Sequence, residues 1–521
     1  MVFTLTTPLY YVNDRAHLGS TYTTLACDAI ARYRRLRGEE VIFITGCDEH
    51  GLKIQRTAEA AGLSPLAHCD RVSQGYRELW QRWQISNDRF IRTSDPRHRS
   101  IVEQFFSRVE ASGDIIEGRQ RGWYCVACEE FKDDPEHATA PGCSIHQRPL
   151  EWRDEMNLFF RLSRYQKQIE ELVATPGFIS PASRQKEVQN FVASGLKDFS
   201  ISRVDLPWGI PVPGHEGHTF YVWFDALLGY ITALLAPEDE ADLDQAIRRG
   251  WPADLHVIGK DILRFHAVFW PAMLMSAGLD LPRQVFGHGF LTREGQKMGK
   301  SLGNVLDPLV LLERCGNDAV RWYLLRDIPF GEDGDFQQQR FSDLVNNDLA
   351  NTIGNLLNRT SSMARKWFDG AVPVPPLAPA QGDALALAAE ALALRFDQAM
   401  NGLDFRGAAE AILQLAVQAN GYLNERAPWK LMKQPDQREA VAADLYGVLE
   451  TCRWVAVLLT PLLPDLSARM LQQLDQPVIS SDAGADPGAW AAARRWGGLE
   501  PGTLLPEPVP VLQRLELDGP L

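Results

Sequence analysis

A chain of 521 residues is too long for one hydrophobic core, and about 100–200 residues per domain predicts three or four units. Its hydrophobic share of 45% and charged share of 23% are those of an ordinary water-soluble protein. A net charge of -14 excludes indiscriminate binding to nucleic acid or anionic membrane, but not a nucleic-acid ligand met by a local basic face. No run approaches the roughly 18–20 apolar residues that span a bilayer. The N-terminus passes straight into Phe3-Thr4-Leu5-Thr6-Thr7, without the basic and apolar segments of a signal peptide. Eight cysteines are sparse for this length; three cluster and five are scattered, which fits a reducing, cytoplasmic setting with one metal site.

In chain order, residues 2–12 read as a buried strand and 13–16 as the loop after it. His17-Leu18-Gly19-Ser20 opens a helix with Leu25, Ala26, Ala29, Ile30 and Tyr33 at helical spacing, and Gly38 stops it. Val41-Ile42-Phe43-Ile44 is an apolar strand that runs on to Gly46-Cys47-Asp48-Glu49-His50-Gly51. Strand, helix, strand is the crossover unit of a parallel sheet, whose ligands sit beyond the carboxyl ends of the strands. Loop 13–20 and the Asp48 segment both lie at such ends, which predicts a shared cleft.

Helical patterns continue to about residue 112, after which 114–214 is rich in Gly, Pro, Trp and charges, as an insertion is. Sheet-like signals return at 220–223, followed by a helix at 225–235, a strand at 255–258, a helix at 261–276, a strand at 285–289 and a helical stretch at 307–326. The predicted fold is α/β: a doubly wound parallel (Rossmann-type) sheet, split by a zinc-knuckle insertion and followed by an α-helical bundle. The expected divisions are 1–113 and 215–289 for the two halves of the sheet domain, 114–214 for the insertion, 290–339 for a lysine-loop segment and 340–469 for the bundle. Residues 470–521 form a Gly/Pro/Trp-rich tail, packed on the body or partly disordered.

Three stretches carry chemistry. The helix start at His17 offers free backbone N–H groups and a partial positive charge that hold phosphate, with His17 as a further donor and Gly19 allowing close approach. Four letters alone favour a plain helix start with a satisfied histidine. Lys297-Met298-Gly299-Lys300-Ser301 is a loop whose two ammonium groups can follow a migrating pyrophosphate charge, or a solvated charged loop. Cys125-x2-Cys128, fourteen residues, then Cys143-x2-His146 presents four ligands with the spacing of a closed, structural zinc site, with His137 as a substitute ligand. Such a site folds its insertion and leaves no position for substrate.

The paired His17 and Lys297–Ser301 stretches resemble the two signatures of class I aminoacyl-tRNA synthetases. Longer strings are similar to the methionine-specific branch: 7–13, Gly46 to Gly51, Phe220-Tyr221-Val222-Trp223-Phe224-Asp225-Ala226, Ile258 to Ile262 and Phe265 to Met273. The resemblance runs from the N-terminus to about residue 465. It implies ATP binding by His17, Gly19, Ser20, Lys297, Met298, Lys300 and Ser301, with His17, Ser20, Lys297 and Lys300 catalytic. It implies a methionine pocket of Leu9, Tyr11, Trp223, Ala226, Tyr230, Ile262 and His266, with Asp48 holding the substrate ammonium and Arg203 as structural support nearby. Residues 290–339 become a stem-contact segment and 340–469 the anticodon-binding bundle, with Asn355, Arg359 and Trp429 reading the anticodon. Ser20 stands where the family mostly has a second histidine, and Gly299 where it usually has serine.

The reaction implied is two-step. Methionine attacks the α-phosphorus of ATP·Mg²⁺, and the terminal adenosine hydroxyl of the methionine tRNA then displaces AMP. The cofactors are ATP, Mg²⁺ and structural Zn²⁺. Without the dimerising extension of longer relatives, a monomer is expected. The rivals are a synthetase-like RNA-binding protein without catalysis, motivated by Ser20 and Gly299, and a small-molecule nucleotidyltransferase, which has no use for the helical bundle.

Overall fold

The computed structural model describes residues 2–126, 129–132, 142–143, 148–204, 206–298, 303–375, 384–517, 519 and 521. Two compact units emerge, one of residues 2–16 and 42–288 and one of residues 17–41 and 289–521.

The first unit is built on a six-stranded sheet. Its strands are β1 (Val2–Tyr11), β2 (Glu40–Asp48) and β3 (Arg89–Arg92). The insertion contributes β4 (Ile115–Cys125), β5 (Glu130–Lys132), β6 (Glu151–Phe160), β7 (Ile179–Ser180), β8 (Phe199–Ser200) and β9 (Ser202–Val204). After it come β10 (His218–Phe220), β11 (Leu255–Gly259) and β12 (Val285–His288). The sheet order is β3-β2-β1-β11-β12-β7. The pairs β2–β3, β1–β11, β11–β12 and β12–β7 are parallel, with Leu5 opposite Leu255 and His256 opposite Val285. Buried on both faces, these strands read as continuous apolar runs, which is why most of them were visible in the sequence. The exceptions are β3, an edge strand of sequence Arg89-Phe90-Ile91-Arg92 inside a stretch read as helical, and β7, two residues from within 114–214 that join the other edge beside β12. The carboxyl ends present Tyr11, Asp48, Arg92, Gly259 and His288.

Within the insertion, β4 and β6 pair antiparallel from Ile115–Phe160 to Tyr124–Glu151, with β5 and β8 on their flanks. The β4–β5 hairpin pairs Cys125 with Glu130, so Cys125 lies at its tip.

Several predicted helices are broken. The stretch 225–235 is two short helices, Val222–Ala226 and Gly229–Thr232. The stretch 261–276 is a tight turn at Lys260–Ile262, a widened turn at Phe265–Phe269 and an α-helix from Trp270. Pro271 lacks the N–H that an unbroken helix would need, and the Trp270 N–H reaches back to the Phe265 carbonyl instead. The stretch 307–326 divides at Gly316, whose φ of 80° a β-carbon would strain.

In the second unit an ion pair ties the helix Leu18–Leu36 to helix Asn317–Arg326: Asp28, already paired with Arg32 of its own helix at 2.8 Å, meets Arg321 at 2.7 Å. Its small sheet orders Gln296–Lys297 beside Leu291–Arg293 and Gly334–Phe336. The bundle follows, with long helices Ala384–Asn401, Phe405–Arg426 and Arg438–Leu459. The tail is fastened to it: buried Glu450 accepts the N–H groups of Gly497, Gly498 and Leu499 at 2.8, 3.0 and 3.0 Å. No helix among the described residues is long and apolar enough to cross a membrane.

Candidate active site

His17 caps the helix Leu18–Leu36. Its Nδ1 accepts the Ser20 N–H at 3.3 Å, while Ser20 Oγ accepts the His17 N–H at 3.0 Å and donates to the His17 carbonyl at 2.7 Å. With Nδ1 accepting, the proton of a neutral imidazole sits on Nε2, which leaves that nitrogen as the donor. A β-carbon at Gly19 would stand 3.0 Å from the His17 ring, so glycine here makes room for the imidazole itself. Ser20 is buried, its hydroxyl engaged in the cap. Lys297 lies exposed on its strand, its carbonyl accepting from Asn304 at 3.1 Å, with Met298 half-buried beside it. These residues belong to the second unit. Lys300 and Ser301, together with Gly299, lie outside the described residues.

The predicted amino-acid pocket lies in the first unit, and its members meet. Tyr230 Oη and His266 Nε2 are 2.8 Å apart, and His266 Nδ1 is 3.1 Å from the Ile262 carbonyl. Trp223 meets the His266 ring edge-on at 6.3 Å and stacks on Phe265 at 4.0 Å. Leu9 packs so closely on Gly229 that a β-carbon there would fall 2.4 Å from its Cδ1. Ala226 is buried, whereas Leu9, Tyr11, Trp223 and Ile262 are half-buried, offering apolar faces. Burial pushes His266 down to about 4, so it is a neutral ring at physiological pH.

Asp48, at the end of β2, is buried, and its Oδ1 has no hydrogen-bond partner among the described residues. Burial, reinforced by nearby Asp225, pushes its carboxyl well above the usual range, against the pull of the His50 N–H. Tyr11 faces it from the end of β1, its phenol raised by burial and by the charges of Glu129 and Asp48.

Around this acid stands a network absent from the predicted list. His50 Nδ1 lies 2.5 Å from Asp225 Oδ2, and His98 Nε2 lies 2.7 Å from Asp225 Oδ1. Burial alone would raise Asp225, but the charge of His50 and hydrogen bonds from both histidines bring it down to about 2. Glu49, fully buried, is held by Arg92 at 2.7 and 3.0 Å and by the Ser73 and Ser94 hydroxyls. His50 and Asp225 both fall inside strings that carry the resemblance, yet 175 positions separate them, so nothing local pairs them. Arg203 is buried, bonded to Ser200 Oγ at 2.9 Å and the Ser202 carbonyl at 2.7 Å, its guanidinium 4.1 Å over the Tyr221 ring.

Of the metal-ligand set, Cys125 and Cys143 are buried together with Leu150, with half-buried Trp123 packed against them. Cys128, His146 and the substitute His137 lie outside the described residues. Among the described residues no group of three or more His, Cys, Asp or Glu is placed to hold a metal ion. In the bundle, Arg359 lies 5.7 Å over the Trp429 ring, Trp429 is 37% exposed, and Asn355 is exposed one turn before Arg359.

The family model described as tRNA synthetases class I (M) matches residues 3–147 and 132–361. The anticodon binding domain of methionyl tRNA ligase matches residues 373–494. The chain is 53% identical over 529 residues to the methionine–tRNA ligase of Synechocystis, covering 99% of this chain and 98% of that protein. It is 50% identical over 520 residues to the chloroplastic/mitochondrial methionine–tRNA ligase of Arabidopsis thaliana, covering 99% and 83%. A similar solved structure is Mycobacterium tuberculosis methionyl-tRNA synthetase in complex with methionyl-adenylate, with a TM-score of 0.90, 40% identity and coverage of 98% and 99%.

Proposed function

The chain belongs to the class I methionine–tRNA ligases, and from that premise we propose how its residues divide the reaction. The reaction is ATP-dependent joining of L-methionine to its tRNA through methionyl-adenylate, with release of pyrophosphate and AMP. The observation that carries the assignment is the unpartnered, buried Oδ1 of Asp48, with Tyr11 near it at the end of β1. An orphaned buried carboxylate oxygen is costly, and a substrate ammonium removes the cost. The thioether then lies against the half-buried faces of Leu9, Tyr11, Trp223 and Ile262, with Ala226, Tyr230 and His266 behind them. Aromatic faces suit a polarizable sulfur, and a neutral His266 keeps the hollow around it uncharged.

On the nucleotide side, His17 Nε2 and the helix N-terminus take the triphosphate of ATP·Mg²⁺, while Ser20 and Gly19 hold and accommodate the imidazole. Lys297 and Lys300, with Met298 and Ser301, follow the leaving pyrophosphate. The methionine carboxylate displaces pyrophosphate at the α-phosphorus, and the terminal tRNA hydroxyl then attacks the acyl carbon and releases AMP. No enzyme nucleophile is needed; positioning and charge stabilisation suffice.

Cys125, Cys128, Cys143 and His146 would hold the structural zinc, and the buried pairing of Cys125 with Cys143 fits that donor set. Bound there, the metal fixes the fold of the insertion. Residues 290–339 contact the acceptor stem, and Asn355, Arg359 and Trp429 read the anticodon, with Arg359 already stacked over the Trp429 ring. A monomer in the cytoplasm is the setting read from the sequence, and light scattering on the purified chain tests the first part. The reaction itself is tested by ATP–pyrophosphate exchange across a panel of amino acids. Exchange is expected with methionine; absence of exchange with methionine, or preference for another amino acid, overturns the assignment.

A further inference from the structure

Glu129 follows the knuckle residue Cys128 directly and stands at the tip of the β4–β5 hairpin. It is 5% exposed, and its backbone sits at φ 57°, a left-handed conformation that a residue with a side chain adopts only when its surroundings hold it. Its carboxylate gathers three donors from three parts of the unit. Tyr11 Oη at the end of β1 donates to Oε1 at 3.0 Å, the backbone N–H of Lys53 donates to Oε1 at 2.7 Å, and Tyr124 Oη in β4 donates to Oε2 at 2.6 Å.

The Lys53 contact is informative. Lys53 is in the first turn of helix Leu52–Ala60, whose cap residue, Gly51, has no side chain to satisfy the turn's open N–H groups. Glu129 supplies that acceptor from the insertion. The fit is tight: a β-carbon at Gly51 would stand 2.8 Å from Tyr11 Oη and 3.0 Å from Glu129 Oε1. Residues 49–51 join this helix to Asp48, whose carbonyl accepts the Val12 N–H at 3.1 Å, so the placement of the first turn bears directly on the segment that follows the acid.

We propose that Glu129 is a positioning residue for amino-acid selection: from the tip of the insertion it holds the Tyr11 phenol and the turn after Asp48 in the geometry that receives methionine. The inference rests on the methionine assignment of that site. It makes the hairpin, and not the sheet alone, a determinant of the pocket. A carboxylate that merely stabilised the hairpin would need Tyr124 and not the two groups on the far side.

The test is steady-state pyrophosphate exchange with methionine and ATP varied separately, in wild type, Glu129→Ala, Glu129→Gln, Tyr11→Phe and the Tyr11→Phe/Glu129→Gln double variant. Glu129→Ala is expected to raise the methionine KM about 10–100-fold, the scale of lost hydrogen bonds to a charged group, with the ATP KM within about twofold of wild type. Glu129→Gln, which keeps an acceptor oxygen, recovers part of that loss. Tyr11→Phe raises the methionine KM about tenfold, and the double variant falls short of the product of the two single effects, because both changes act on the one Tyr11–Glu129 contact. Should Glu129→Ala fail to fold by circular dichroism, the last three variants decide the matter. Equal rises in both KM values, an unchanged methionine KM, or additive losses in the double variant overturn the proposal. Wild-type chain inactive with methionine overturns instead the functional assignment on which it rests.

Discussion

The elements proposed to hold the amino acid and those proposed to meet tRNA and phosphate treat polar groups in opposite ways. Around the pocket, Asp48, Glu49, His50, Asp225 and His266 are buried, and the last four are oriented by partners brought from distant strands and helices. In the other unit, Lys297 and Asn355 are exposed and Trp429 is more than a third exposed. Discriminating one small side chain demands fixed groups whose desolvation has already been met, since a misplaced buried charge costs more than a contact gains. A departing pyrophosphate or an unstacked base is met better by side chains that can follow it.

That contrast breaks most sharply at Asp48. Asp48→Ala should lower kcat/KM for methionine in pyrophosphate exchange by about 10³-fold, the scale of about 3–5 kcal/mol for removing one partner of a buried pair. Burial raises the Asp48 carboxyl, so methionine binding should also release a proton and weaken as pH falls, readable by calorimetry in buffers of different ionisation enthalpy. An exposed lysine should behave differently. Lys297→Ala should slow adenylate formation about 10²-fold, in the range for losing one transition-state donor, while methionine affinity by calorimetry stays unchanged. A matched fall in affinity would mean that the lysine acts on the ground state, and the contrast would lose its second half.

How much of this was legible follows from the same physics. Strands β1, β2, β11 and β12 announce themselves because a buried parallel strand is a run of apolar residues. The two-residue β7 has no room for such a run, and the widened turn at Phe265–Phe269 depends on a hydrogen-bond shift ahead of Pro271 that periodicity cannot register. Leu9, Trp223, Tyr230 and Ile262 look like ordinary core from their types alone, and only the resemblance pointed to them as a pocket. Glu129 and the His50–Asp225–His98 network were silent. Each depends on partners 76 to 175 positions away, and no local pattern encodes such a pairing.

His266 sharpens the contrast from the stability side. Its folded value of about 4 lies below the ordinary 6.5, so between those values the unfolded chain takes up a proton that the folded chain refuses. Stability from this group is full above pH 6.5 and is lost as pH falls toward 4, about 3 kcal/mol over the interval. His256, likewise lowered by burial, adds a loss of the same sign. Urea-unfolding midpoints compared at pH 7 and pH 4.5 should therefore fall less in His266→Gln than in wild type. An equal fall in both would show that the ring is charged in the folded state.

The smallest effect belongs to Trp429, more than a third exposed in the bundle. Trp429→Ala should weaken binding of the methionine tRNA by about 1–3 kcal/mol, the contribution of stacking one base on an aromatic ring, as read by filter binding at fixed salt. Pyrophosphate exchange without tRNA should be unaffected, because Trp429 lies in the bundle and the adenylate chemistry is assigned to other residues. Phenylalanine keeps a stacking face, so Trp429→Phe should recover most of the affinity, whereas a pure packing anchor would respond to volume and lose thermal stability in both variants. Arg359 stacks over the same ring at 5.7 Å, so Arg359→Ala combined with Trp429→Ala should cost less than the sum of the two. Strict additivity would place the arginine and the tryptophan on different parts of the RNA.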